Sequence, residues 1–384
     1  MTNILIPLSE PRLNGNEWKY IKECLDTGWV SSVGSYVKRF EDMLAGYAGA
    51  KYAVAAVNGT SSLHVSLIAC GVGPGDEVIV PAFTFIAPVN VVRYCGAEPL
   101  FMDCDGRTLC MDAEKLNDFL KNNTQKRKDG FTYNKDTARR IKAVIPVHMY
   151  GHPCDMEAIA GLCSPLNIDI IEDATESLGS EYKGKKTGIF GKIGCFSFNG
   201  NKIITTGGGG MAVTDDKKTA DRIRHLTTQA KIDGIEYDHD EIGYNYRLSN
   251  IQAAMGVAQM EGLDGYVERK RATALLYKKS FSEVNEAELV WEEAWAKSNF
   301  WLCTIKVPKQ RKKPLIDHLL SRGIQVRPVW KPINKMRMYG DCQSYRVESA
   351  NEIYDTCINI PSSAGISEGD IKTVAAEIRG YFRI

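Results

Sequence analysis

The sequence predicts an α/β protein: a large domain with a mostly parallel sheet covered by helices, followed by a smaller α+β domain. Three observations carry this. Short apolar runs without alternation recur through the first two-thirds of the chain, the pattern of strands buried on both faces. Helical stretches separate them, as βαβ units require. After about residue 250 the texture changes to one long helical stretch followed by short strand-like segments.

In chain order, Tyr52–Ala56 reads as a strand and Thr60–Cys70 as the helix behind it, with the glycine-rich GVGPGDE as the next turn. Glu77–Val80 is a second strand. Ala143–Val147 and Asp169–Glu172 read as buried parallel strands joined by a helix from Asp155 to Leu166, and Cys195–Phe198 and Met211–Thr214 add two more. A long helix starts at Asn250 and runs towards Phe281. Strand-like segments follow near Phe300–Val307 and Ile324–Val329, and Ser367–Phe382 is an amphipathic helix. The expected domains are 1–255 and 256–384, with roughly the first 25 residues free to pack with either.

With 384 residues, 44% hydrophobic and 25% charged, the chain can bury a sizeable core. A net charge of +1 provides no global field for nucleic acid or an acidic membrane, so neither is an expected partner. No run of about 18 apolar residues is present. The N-terminus lacks a basic stretch followed by an apolar one, so no secretory signal is expected. The 11 cysteines are scattered, odd in number and never in a CxxC pair, and the six histidines lack ligand spacing. These features predict a cytoplasmic protein without disulfides or a metal site. The basic stretch Lys121–Arg140 reads as a solvated loop or hairpin, with contact to a nucleotide diphosphate as the sharper alternative.

The most informative window is Ile171–Met211. It holds an acid at a strand end (Asp173), a serine in a strand (Ser197), a lysine in a short turn (Lys202) and four successive glycines (Gly207–Gly210). In open parallel sheets the carboxyl ends of strands line the ligand crevice, so Asp173 is either a ligand-facing acid or a helix cap. The glycines allow close approach to a ligand or a simple loop. Upstream, Asn58–Ser62 lies between a strand and a helix, as a phosphate seat or as ordinary capping. Phe85, at the next strand-to-helix junction, is either a core aromatic or a ring that stacks on a ligand.

The order of these pieces resembles the DegT/StrS family of sugar aminotransferases, of the aspartate aminotransferase (type I) fold. The likeness runs nearly end to end through NGTSSLH (58–64), GPGDEVIVPAFTF (73–85), IEDATESLGSEYKG (171–184), CFSFNGNKIITTGGGGM (195–211), GYNYRLSNIQAA (243–254) and GIQVRPVW (323–330). It implies pyridoxal 5'-phosphate (PLP) as cofactor, held covalently as an internal aldimine by Lys202, which also moves the proton. Asp173 matches the partner of the pyridine nitrogen. Glu176 stands near the phenolic oxygen, where glutamine or histidine is usual. Gly59, Thr60, Ser61 and Ser197 resemble the phosphate ligands, and Phe85 the stacking ring. Asn245 resembles a phosphate-binding residue from the neighbouring subunit, which implies a homodimer with shared sites. Trp29, Arg327 and Trp330 lie in segments that touch the sugar nucleotide.

The implied reaction transfers an amino group from L-glutamate to a nucleotide-linked keto-sugar. A related dehydrating branch carries histidine in place of the lysine, so Lys202 favours transamination. Two segments, 16–37 and 197–210, look like the subgroup acting on UDP-2-acetamido-4-keto-2,4,6-trideoxyglucose, which predicts a product for bacillosamine- or legionaminic-type glycans. The alternatives are the same chemistry on a GDP-linked keto-sugar, giving perosamine, and a non-catalytic PLP- or sugar-binding regulator.

Overall fold

In the computed structural model, which describes residues 5–382, a ten-stranded mixed sheet forms the centre of the larger body. Along its main path the strands run in the order Tyr52–Ala56, Gly210–Thr214, Ile193–Ser197, Asp169–Asp173, Arg140–Val144, Asp76–Pro81, Glu98–Met102 and Ser344–Tyr345. Gly210–Thr214 pairs antiparallel with both neighbours, and the other neighbouring pairs on this path are parallel. Four of the inner strands are buried along most of their length. That explains why they read as apolar runs without alternation.

The carboxyl ends of Tyr52–Ala56, Asp169–Asp173 and Ile193–Ser197 open on the same edge of the sheet. Cys195 sits in register with Asp173, and Val147 forms a bridge to it. The helix Gly59–Ala69 follows the first of these strands, so its N-terminus faces that edge. Asn58 caps it by accepting from the Ser61 N–H at 2.7 Å.

The helix Asn250–Phe281 spans 32 residues and starts with a reciprocal capping box between Ser249 and Gln252. The expected boundary at 255/256 falls within it. Its first half packs Ala253, Val257 and Leu263 into the sheet's core, and its second half packs Tyr277 and Phe281 into a second core. That second core lies under an antiparallel sheet of Glu288–Leu289, Cys303–Lys306, Cys357–Ile360 and Arg327–Pro328. The segment from Val329 to Cys357 returns to the first core, where Ser344–Tyr345 extends the large sheet.

The basic stretch forms a hairpin, Thr124–Lys126 with Thr132–Asn134, tied through Tyr133 to Arg140 at the amino end of its strand. It therefore lies at the sheet's opposite edge, away from the cavity described next. No described helix is long and apolar enough to cross a membrane.

Candidate active site

A cavity of about 280 Å³ opens at the carboxyl edge of the sheet. Its lining includes Gly59, Thr60, Phe85, Asp173, Glu176, Ser197, Lys202 and Trp330. Eight residues singled out from sequence, drawn from five separated segments, thus meet around one space.

Lys202 follows the strand Ile193–Ser197 in a tight turn closed by its N–H donating to the Asn199 carbonyl at 3.0 Å. Its side chain is 13% exposed, and Nζ lies 3.4 Å from Glu176 Oε1. Glu176 Oε2 accepts the Tyr150 N–H at 2.9 Å. Burial pushes the Glu176 carboxyl above its ordinary range, opposed mainly by Lys202.

Asp173 ends its strand with the side chain at the cavity, 3% exposed. Burial likewise pushes its carboxyl up, opposed by hydrogen bonding from Thr175 and by the charge of Lys202. Its Oδ1 accepts the Thr175 N–H at 3.1 Å.

Gly59 opens the helix at the cavity wall. A Cβ there would come within 2.8 Å of Ser197 Cβ, so glycine is what allows the helix N-terminus to sit against that serine. The four-glycine run has a different role. A Cβ on Gly210 would meet the Asn58 backbone at 2.4 Å, so the last glycine lets its strand pass close to the helix start. None of the four lines the cavity.

Four expected residues do not line this cavity in the single chain. Ser61 is buried, with its N–H taken by the Asn58 cap. Asn245 is exposed beside its bridge to Thr228, Trp29 is 57% exposed, and Arg327 is exposed on its short strand.

Other residues come into view only with the fold. Asn199, Asn201, Thr84 and Trp301 line the cavity. Tyr150 supports it from behind, its backbone at φ 51° and ψ 21°, a left-handed geometry that is costly for a bulky side chain. That turn aims its N–H at Glu176. Tyr150 had no local signal, because nothing in HMYG marks a strained tyrosine.

These groups fit a phosphorylated pyridine aldehyde. A lysine amine, a buried acid and a helix N-terminus beside a serine face one space, and backbone N–H groups at such an N-terminus suit phosphate. Thr84 Oγ1 and Trp330 Nε1, on two lining residues, are buried without a hydrogen-bond partner, which is unusual unless a ligand or water completes them.

Comparisons with known proteins point the same way. Residues 11–379 match the model of the DegT/DnrJ/EryC1/StrS aminotransferase family. The chain is 39% identical to the GDP-perosamine synthase of Escherichia coli O157:H7, covering 98% of each chain. It is 38% identical to the GDP-perosamine synthase of Caulobacter vibrioides, covering 97% of each. Its fold is similar to a DegT DnrJ EryC1 StrS aminotransferase from Brucella abortus, with a TM-score of 0.88 at 27% identity over 96% of both chains.

The first two likenesses overturn the expectation of a UDP-linked trideoxy sugar and a bacillosamine-type product, since these near full-length relatives are GDP-sugar enzymes by name. The structure provides a physical reason for the misreading. No residue of 16–37 lines the cavity, and 197–210 contributes only Ser197, Asn199, Asn201 and Lys202, at the lysine's own turn. Within the single chain, neither segment brings to this cavity a side chain beyond the lysine's own turn.

Proposed function

Because this chain belongs to the DegT/DnrJ/EryC1/StrS aminotransferase family and is a PLP-dependent enzyme, we propose that it moves an amino group from L-glutamate to C4 of a GDP-linked 4-keto-6-deoxyhexose, giving a perosamine-type product. The observation that carries the site is the meeting of Lys202, Asp173 and the Gly59–Thr60 helix start around one cavity. The choice of GDP rests on the likeness to two GDP-perosamine synthases.

Bound PLP supplies an electron sink for the bonds around the reacting amine carbon. The chain's own residues do the rest. Lys202 would hold the cofactor covalently and, once released, would take and return the proton as general base and acid. Asp173 would partner the ring nitrogen and keep it protonated. Gly59 and Thr60 offer backbone N–H groups, and Ser197 its hydroxyl, to the phosphate. Phe85 would cover a ring face, and Glu176 would serve the phenolic oxygen. Trp330 would contact the sugar; its ring centroid is 5.3 Å from that of Phe85.

We assign Asn245, Trp29 and Arg327, all exposed in the single chain, to a homodimer in which they complete the partner's site. Sedimentation at working concentration tests that assembly, and a monomer with full activity would remove it.

The substrate is tested by incubating purified enzyme with L-glutamate and GDP- or UDP-linked 4-keto-6-deoxy sugars, then resolving products by mass. Amination of the GDP-sugar is expected. Turnover confined to UDP-sugars would overturn the proposal.

A further inference from the structure

We infer that Trp301 is a positioning residue for Lys202: its indole face is the floor on which the lysine amine rests whenever that amine is not bonded to the cofactor. The inference rests on the assignment of Lys202 proposed above and extends it to a residue with no motif of its own.

Lys202 Nζ lies 3.9 Å from the centre of the Trp301 ring, with Glu176 Oε1 at 3.4 Å. An ammonium over an indole face is attracted by the ring's quadrupole, most strongly where water is scarce. Here the lysine is largely buried and Trp301 is 1% exposed.

The ring is also fixed in place. Its Nε1–H donates to the Asn201 carbonyl at 2.6 Å, one residue from the lysine it supports. Its backbone N–H donates to Asn299 Oδ1 at 2.8 Å. Its carbonyl accepts from Lys270 Nζ at 2.8 Å and from Ser362 Oγ at 3.3 Å. Lys270 is itself buried, and its Nζ also reaches the Ser362 carbonyl at 2.6 Å. The floor beneath Lys202 is thus bolted to the long helix and to the loop before the last helix.

Such a floor suits an amine that must be released and recaptured. A carboxylate alone would hold the ammonium by directed hydrogen bonds. An aromatic face attracts the charge without fixing the direction of each N–H, so once a proton has left, the amine can turn to aim its lone pair at a carbonyl carbon or a proton.

The test starts from cofactor-free protein mixed with PLP, following the lysine-linked absorbance by stopped flow. In this step the neutral amine adds to the aldehyde carbon and water leaves. Tryptophan analogues with one, two or three ring fluorines, placed at 301 alone, keep the shape and weaken the cation attraction. The expected result is a stepwise rise in rate near pH 7, to about threefold, the scale of a partly desolvated cation–π contact. Trp301→Phe, which keeps a face but loses the indole N–H, should stay within about twofold of wild type.

Rates that ignore fluorination would overturn the inference, as would a Trp301→Phe protein that folds yet forms no adduct. The assignment of Lys202 is read separately: wild type must form the adduct and Lys202→Ala must not.

Discussion

Glu172 and Asp173 are neighbours on one strand, and their carboxylates are placed in opposite circumstances. Glu172 accepts from His148 Nε2 at 2.9 Å and from the backbone N–H groups of Gly188, Phe190 and Gly191 at 2.8, 2.6 and 2.7 Å. His148 Nδ1 in turn accepts the Cys154 N–H at 3.0 Å, which places the ring proton on Nε2. Asp173, pointing to the other side of the sheet, meets Thr175 and the cavity. One acid secures the strand end so that the other is held at the reaction space. Glu172→Gln puts an NH₂ group against donors and removes a fully paired charge. A loss of about 3 kcal/mol in denaturant-measured stability is expected, and a loss under about 1 kcal/mol would show that the network is not needed to hold the strand.

Asp173 and Glu176 are stability liabilities in the cofactor-free protein. Burial raises both carboxyls, so the folded state keeps protons that the unfolded chain has already released. Stability therefore falls as pH rises above the ordinary carboxyl range. Asp173→Asn and Glu176→Gln should each raise the cofactor-free Tm at pH 7, by on the order of 2 °C. Asp173→Asn should also cut turnover by about 10²-fold or more, because the ring nitrogen loses its anionic partner. Calorimetry and steady-state rates check the two halves, and an Asp173→Asn enzyme with near wild-type turnover contradicts the assigned role.

Lys202→Ala should leave the fold intact, since the side chain's amine meets only the Glu176 carboxylate and the Trp301 ring among the described residues. Purified with excess PLP, the variant should lack the visible lysine-linked absorbance and yield no labelled peptide after borohydride reduction. Wild type should yield label on Lys202. Label on another lysine would move the covalent site elsewhere.

The Gly59–Ser197 contact sets a steric limit at the proposed phosphate seat. In Gly59→Ala the new methyl meets Ser197 Cβ at 2.8 Å and Thr175 Cγ2 at 3.2 Å, so the helix start or the serine must move. Cofactor affinity, measured by PLP titration, should weaken by about tenfold or more, on the scale of one lost charge-assisted hydrogen bond. Ser197→Ala, which removes the hydroxyl without a clash, should weaken it less. The reverse order would place the phosphate away from this wall.

Much of this was legible in the sequence, for physical reasons that also set the limits. Strands buried on both faces must be apolar throughout, so the expected Tyr52–Ala56 matches the observed strand, and Asp169–Glu172 falls one residue short of its observed end. The expected strand Ala143–Val147 lies three residues late because the observed one, Arg140–Val144, begins with a charged edge at Arg140 and Lys142. Asp173 and Lys202 sit in a contiguous window, where order alone carries a signal. Trp301 and Tyr150 do not. Trp301 reaches Lys202 from 99 positions away; its indole N–H is held by Asn201 and its carbonyl by Lys270 and Ser362. The nucleotide is not legible, because within the single chain the segments resembling a UDP-sugar subgroup either surround the lysine's turn or do not line the cavity.

Lys270 permits a pH test of the tie between the two cores. It is buried against the carbonyls of Trp301 and Ser362, and burial lowers its ammonium to about 8. The unfolded chain keeps that proton to the ordinary lysine range, near 10.4. Between these values the unfolded state binds more protons than the folded one, so this residue's contribution to stability grows as pH rises and is smallest below about 8. Tyrosines and cysteines titrate in the same window, so the quantity to follow is the difference in unfolding free energy between wild type and Lys270→Met from pH 7 to pH 10. Wild type should gain on the variant steadily across that interval. A difference that is flat with pH would show that the ammonium keeps its proton in the fold, and would leave the Trp301 carbonyl held by a permanent charge instead.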